Sequence, residues 1–168
     1  MTRSAYRVDA GATLPLCVVI GSRQEQIERA HAQLTPILHG LWGDDSAVWP
    51  IELAVHEAVV NAIEHGGAGI PDATVGITLD IEDDELLIEI SDQGPGFDPD
   101  TVPDPRLPDS VLRASGRGVL LMRAVVDSLE AAHGPNGRFT LTLRTKLPRS
   151  VAEGVPPQRG GFHGDQRA

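Results

Sequence analysis

Glu57 and Asn61 stand four residues apart in HEAVVNAIEH, residues 56–65. In a helix that spacing sets a carboxylate beside a neutral amide oxygen. The pair suits Mg²⁺, a hard cation that takes few protein oxygens and completes its shell with phosphates and waters. At about 100° per residue Glu64 joins the same stripe, with His65 beside it, while Ile51, Val55, Val59, Ala62 and Ile63 fall roughly opposite. An amphipathic helix explains a polar stripe without any chemistry. It explains Asn61 least well, because a mid-helix amide competes for backbone hydrogen bonds.

Two further places pose the same choice. Asp92 closes the apolar run ELLIEISD and is followed by Gln-Gly-Pro-Gly. Gly94 and Gly96 suit a tight turn. Asp92 is either a turn-former bonding its own backbone or a carboxylate aimed into a pocket. In ASGRGVLLMR, residues 114–123, Gly116 and Gly118 open an apolar segment of helical character. They give either a flexible helix entry or an anion site built from unpaired N–H groups and the positive end of the helix dipole. Arg113 and Arg117 are extra cationic donors in the second reading and solvated charges in the first.

Three familiar patterns are excluded. His56-Glu57 begins a zinc-protease signature, but its second histidine would stand where Val60 does. No Gly-Lys-Ser/Thr is present, and Gly116-Arg117-Gly118 lacks the third glycine of a dinucleotide fingerprint.

The elements that must carry these residues follow from periodicity. LPLCVVI (14–20) reads as a buried strand. Residues 22–40 read as an amphipathic helix interrupted by Pro36, and 40–47 as a loop. A second helix covers roughly 48–66, stopped by Gly66-Gly67. Strands at 74–82 and 85–92 flank Asp83-Asp84, a hairpin signal. Prolines 99, 103, 105 and 108 make 98–115 a long loop. A helix at 117–127 and a second hairpin, 128–133 with 138–147 around Gly134–Gly137, follow. Residues 1–13 show no clear period, and from Pro148 to 168 the composition suggests a disordered tail. The apolar helix faces need one cover and the strands provide it. The expected fold is therefore an α/β two-layer sandwich, a mixed, mainly antiparallel sheet with helices on one face.

At 168 residues the chain fits one domain, and 40% hydrophobic with 23% charged residues is ordinary for a globular protein. No run suits a membrane span. The lone Cys17 lies in an apolar run, which suits a buried thiol in a reducing, cytoplasmic setting. A net charge of −10 argues against direct nucleic-acid binding and is compatible with a basic protein partner.

Taken in order, a Glu/Asn helix, an Asp-x-Gly-x-Gly strand end, a long loop and a glycine-opened helix resemble the GHKL (histidine-kinase-like, Bergerat-fold) ATPase superfamily. EAVVNAIEH resembles its N-box, DQGPGF its first glycine box and GRGVLLM its second. The single-domain size and the LPLCVVI strand with its following helix are most similar to bacterial anti-sigma factor serine kinases of the RsbW type, over residues 14–147. The resemblance implies an ATP and Mg²⁺ site in which Asp92 accepts from the adenine amine and Gly94 and Gly96 pass beneath the purine. It implies that Asn61 holds Mg²⁺ and that Glu57 is general base for a serine hydroxyl. Gly116 and Gly118 would meet the phosphates, with Arg113, Arg117, Val119 and Leu120 completing the ATP site and 98–115 serving as lid. The implied partners are a sigma factor and an STAS-type antagonist phosphorylated on serine, with a homodimer plausible. Relatives often start the last strand with a threonine near the adenine, where Gly137 or Arg138 stands here; Thr140 comes two or three positions later. Two other functions fit the motifs: a binding module gated by ATP without phosphoryl transfer, and a detached histidine-kinase catalytic domain. Glu57 favours the kinase over the first, and no acceptor helix hairpin precedes the boxes to favour the second.

Overall fold

The computed structural model describes residues 6–7, 13–102 and 117–152. Strands β1 (Tyr6–Arg7) and β2 (Thr13–Leu14) form a small antiparallel ladder. The main sheet contains β3 (Leu16–Gly21), β4 (Thr74–Glu82), β5 (Glu85–Asp92), β6 (Ser128–His133) and β7 (Phe139–Lys146), in the order β3-β4-β5-β7-β6. Every pairing in it is antiparallel, where the sequence had suggested a mixed sheet. Three helices cover one face: α1 (Ile27–Trp42), α2 (Asp45–Asn61) and α3 (Arg117–Val125).

Alternation along the strands produces this layering. Val75, Ile77 and Leu79 of β4, Ile88 and Ile90 of β5, and Leu141 and Leu143 of β7 join the helices in one core. On the opposite face Cys17 and Val19 are exposed, so Cys17 is not the buried thiol its apolar neighbours suggested. Asp80 and Leu87, paired in register, are the buried residues of that face. Asp83, with φ of 56°, turns the β4–β5 hairpin in the left-handed conformation that Asp tolerates.

Four boundaries differ from the sequence reading, each for a physical reason. Pro36 does not interrupt α1, because Leu34, Ile37, Leu38 and Leu41 are buried on either side of it and hold the helix through the missing hydrogen bond. The expected loop 40–47 shrinks to two residues. Gly43 caps α1 at φ of 68°, and Asp44 caps α2 by accepting from the Ser46 amide at 3.0 Å and the Ser46 hydroxyl at 2.8 Å. Helix α2 passes into a π-helical turn, Ala62–Gly66, and Gly67 has a φ of −99°, so neither glycine is a left-handed cap. Beyond Pro148 the chain still packs: α4 (Arg149–Ala152) buries Val151 one turn after the buried Leu147. Residues 153–168 and 103–116, the latter including most of the expected loop 98–115, lie outside the described residues. No helix among the described residues is long and apolar enough to cross a membrane.

Pro36 is exposed, so Pro36→Ala restores the amide bond to the Ala32 carbonyl without disturbing the core. The gain should be about 1–2 kcal/mol, less than the full helix penalty because the unfolded chain also gains freedom. A urea titration checks it, and an unchanged or lowered midpoint would contradict it.

Candidate functional site

A cavity of about 380 Å³ lies between the sheet and the helices, at the end where β5 stops. That is within the usual range for small-molecule pockets, about 300–1,000 Å³. Ala58, Asn61, Ala62, His65 and Gly66 contribute the helical wall, Ile90, Asp92, Phe139 and Leu141 the sheet wall, and Pro95 to Asp98 with Thr101, Val102 and Val119 the remaining sides.

Asp92 is the buried charge of this wall, only 5% exposed. Its Oδ1 accepts from the Gly94 amide at 2.7 Å, so the turn-forming reading of this residue holds. Asp92 also lines the cavity, and its Oδ2 has no hydrogen-bond partner among the described residues. Burial raises the carboxyl above the ordinary aspartate value. The Gly94 amide and the charges of Arg138 and His133 pull the other way without cancelling it.

Two glycines admit the carboxylate. A side chain at Gly66 would collide with the Asp92 carboxyl. At Gly94 it would stand 2.5 Å from the Gly66 Cα and 3.0 Å from the His65 carbonyl. Gly96 has a different reason: its φ is 70°, and a Cβ there would enter the Phe139 ring. Phe139 pairs with Asp92 across β5 and β7, and its ring packs against Phe97 and His133 at centroid separations of 5.5 Å each. Thr140 pairs with Ser91 instead and does not line the cavity.

Asn61, half-buried, lines the cavity; Glu57, one turn earlier, does not. Glu57 lies against the start of α3, where a Cβ on Gly118 would come 2.5 Å from its Oε2. The N-box and the second glycine box therefore meet through these two residues. Val119 is buried in the cavity wall, Leu120 is half-buried away from it, and Arg117 is exposed. Arg113 and Gly116 lie outside the described residues. The cavity takes the helical face of Ala58, Asn61, Ala62 and His65, at i, i+3, i+4 and i+7, and not the Glu57–Asn61–Glu64 stripe as a whole. Glu64 is consequently exposed and off the cavity, while His65 reaches it. His56 is committed elsewhere, hydrogen-bonded to His31 at 2.9 Å across α1 and α2.

Sequence reasoning missed Gly66 and Phe139. The Gly66-Gly67 doublet was a signal, since a helix stop needs one glycine; the second also answers to close contact, Gly67 against the Ser22 hydroxyl. The preceding loop begins with a short 3₁₀ turn, Pro99–Thr101, capped by Asp98 and tied to α3 by an Arg123–Asp100 ion pair.

Fold and site together define an α/β sandwich with its cavity between an Asn-bearing helix and an Asp-ended strand. The family model described as a histidine kinase-like ATPase domain matches residues 20–145. An anti-sigma F factor of Oceanobacillus iheyensis is 32% identical over 102 residues, 60% of this chain and 70% of that one. An anti-sigma F factor of Bacillus cytotoxicus is 32% identical over 123 residues, 72% and 80% of the two chains. A serine-protein kinase RsbW of Listeria innocua is 28% identical over 90 residues, 50% and 57%. Among solved structures, the RsbU and RsbW domains of Rv1364c from Mycobacterium tuberculosis superimpose with a TM-score of 0.57 at 22% identity, over 82% of this chain and 33% of that longer one. The chain belongs to the histidine kinase-like ATPase family, and the curated relatives it resembles are named anti-sigma F factor and serine-protein kinase RsbW.

Because folding raises the Asp92 proton affinity, the stability tied to this group is full below the unfolded value of about 3.9. It is lost as pH rises through the higher folded-state value. Asp92→Asn, which keeps an acceptor for the Gly94 amide, should make the ligand-free protein more stable than the parent at neutral pH. The difference should shrink toward about pH 4. Urea midpoints across that range check it; a variant less stable at neutral pH would contradict it.

Proposed function

We propose that this protein is an ATP-dependent protein serine kinase that acts as an anti-sigma factor in the bacterial cytoplasm. It phosphorylates a serine of an STAS-type antagonist and binds a sigma factor, with a homodimer as the working form. The names of its relatives, anti-sigma F factor and serine-protein kinase RsbW, support the class, and the observation that carries the catalytic part is Glu57 lying against Gly118, one turn from Asn61.

The residues present fit the ligand that the family implies. The free Oδ2 of Asp92 accepts from an adenine amino group, while Gly96, Phe97 and Phe139 surround the base. Asn61 offers a neutral oxygen suited to Mg²⁺, which supplies charge neutralisation at the phosphates when bound. Gly116, Gly118, Arg113 and Arg117 serve the phosphates at the helix start. Glu57 takes the proton of the attacking serine hydroxyl.

One observation favours a second reading. A carboxylate at the first turn of α3 is also what helix electrostatics alone would place there, and Glu57 would then be a capping charge in an ATP-gated binding module. Glu57→Gln separates the two. For the kinase, ATP affinity stays near the parent value and phosphate transfer to the antagonist falls by ~10²–10⁴. Asn61→Ala should weaken Mg²⁺-dependent ATP binding itself. Calorimetry and labelled-phosphate transfer measure both. A parent that binds ATP but phosphorylates no antagonist supports the binding module, and transfer at the parent rate by Glu57→Gln removes the base.

A further inference from the structure

The ladder between β4 and β5 stops at Gly76 and Ser91, short of the cavity, and side chains take over beyond it. Arg138, the residue before β7, donates from Nη2 to the Ser91 carbonyl and to the Thr74 carbonyl, each at 2.8 Å. Its Nη1 lies 3.4 Å from the Thr74 hydroxyl. Gln93 completes the join, its Oε1 accepting from the Thr74 amide at 2.9 Å.

The Ser91 carbonyl belongs to the peptide group whose nitrogen is that of Asp92. A rigid planar group held at its oxygen fixes the direction in which the next Cα presents its side chain. Arg138 is half-buried; Nη2 holds both carbonyls while Nη1 reaches the Thr74 hydroxyl, a planar two-nitrogen arrangement that a lysine ammonium reproduces less well. We infer that Arg138 is a positioning residue for the base pocket: by clamping the Ser91–Asp92 peptide against β4 it aims the Asp92 carboxylate into the cavity. The assignment rests on reading the cavity as a nucleotide site. It adds a residue that none of the three motifs contains.

The charge effect agrees with the geometry. Burial favours the protonated carboxyl, and Arg138 opposes it. The other titratable groups around the carboxyl are His133 at the end of β6, His65 in the π turn and Asp98 ahead of the 3₁₀ turn. An arginine keeps its charge across the accessible pH range. Arg138 is thus a lasting positive neighbour at the pH where nucleotide would bind.

The test uses the full chain. The Asp92 side-chain carboxyl is titrated by ¹³C NMR in nucleotide-free parent, Arg138→Met and Arg138→Lys, with the exposed Asp44 carboxyl as internal control. The Asp92 midpoint should move to higher pH in Arg138→Met, and Arg138→Lys should recover part of the shift, while Asp44 stays fixed. ATP affinity at neutral pH should fall roughly tenfold in Arg138→Met, with partial recovery in the lysine variant. An Asp92 midpoint in Arg138→Met equal to the parent's overturns the inference. Because that midpoint is read without nucleotide, a parent that binds no ATP sinks the proposed function instead and is distinguished from it.

Discussion

A carboxylate held out of water at the end of a sheet is the constraint that the rest of this site answers to. Desolvation penalises the charged form of Asp92, and the surrounding chain supplies what offsets part of it. The Gly94 amide takes one oxygen, Arg138 supplies charge from the far side, and Gly66 and Gly94 give up their side chains so that the carboxyl fits. These residues stabilise a group that folding alone would rather do without. A buried, half-satisfied acceptor is what a ligand amino group can recognise strongly, since it arrives to a partner that water no longer solvates.

The helical layer is arranged around the same point. Helix α2 packs between α1 and α3, and its buried Ala54 and Ala58, with Ala62 at the start of the π turn, are small residues that let neighbours approach. Ala58 and Ala62 face the cavity, so the residues that permit close packing also leave room for a ligand. The π turn that follows costs one regular hydrogen-bond step and brings Gly66 under Asp92 and His65 to the cavity edge.

Much of this was legible in the sequence, and the parts that were not share a cause. Strands at 74–82 and 85–92 were readable to the residue because alternation and turn chemistry both depend on near neighbours. The identities of Asn61 and Asp92 were readable as cavity residues because each is an awkward choice for its local element. The cap pair Gly43 and Asp44 was local too, but an aromatic-flanked loop drew the boundary wrongly by several residues. Gly66 and Phe139 depend on contacts with chain segments 26 and 43 residues away, from Gly66 to Asp92 and from Phe139 to Gly96. No periodicity within either segment reports such a contact. The exposed Val19 and Cys17 show the reverse error: apolar character in β3 was read as burial, yet among the described residues the sheet has helices on one side only.

Those long-range contacts make the site's residues conditional on one another. Gly96 answers to the ring of Phe139, and a smaller side chain at the start of β7 would relieve its contact while leaving its positive φ as the remaining demand for glycine. Phe139 in turn stands opposite Asp92, on the cavity side of a strand whose next residue, Thr140, faces away. A polar residue could therefore reach the cavity from β7 at position 139 but not at 140, because strand alternation sends neighbouring side chains to opposite faces. The same alternation leaves Arg138 free of the cavity and able to cross beneath β5 to Thr74. With an aromatic wall at 139, polar recognition in this part of the pocket falls to Asp92, and the direction of that one carboxylate matters more than it would in a site with a second polar contact.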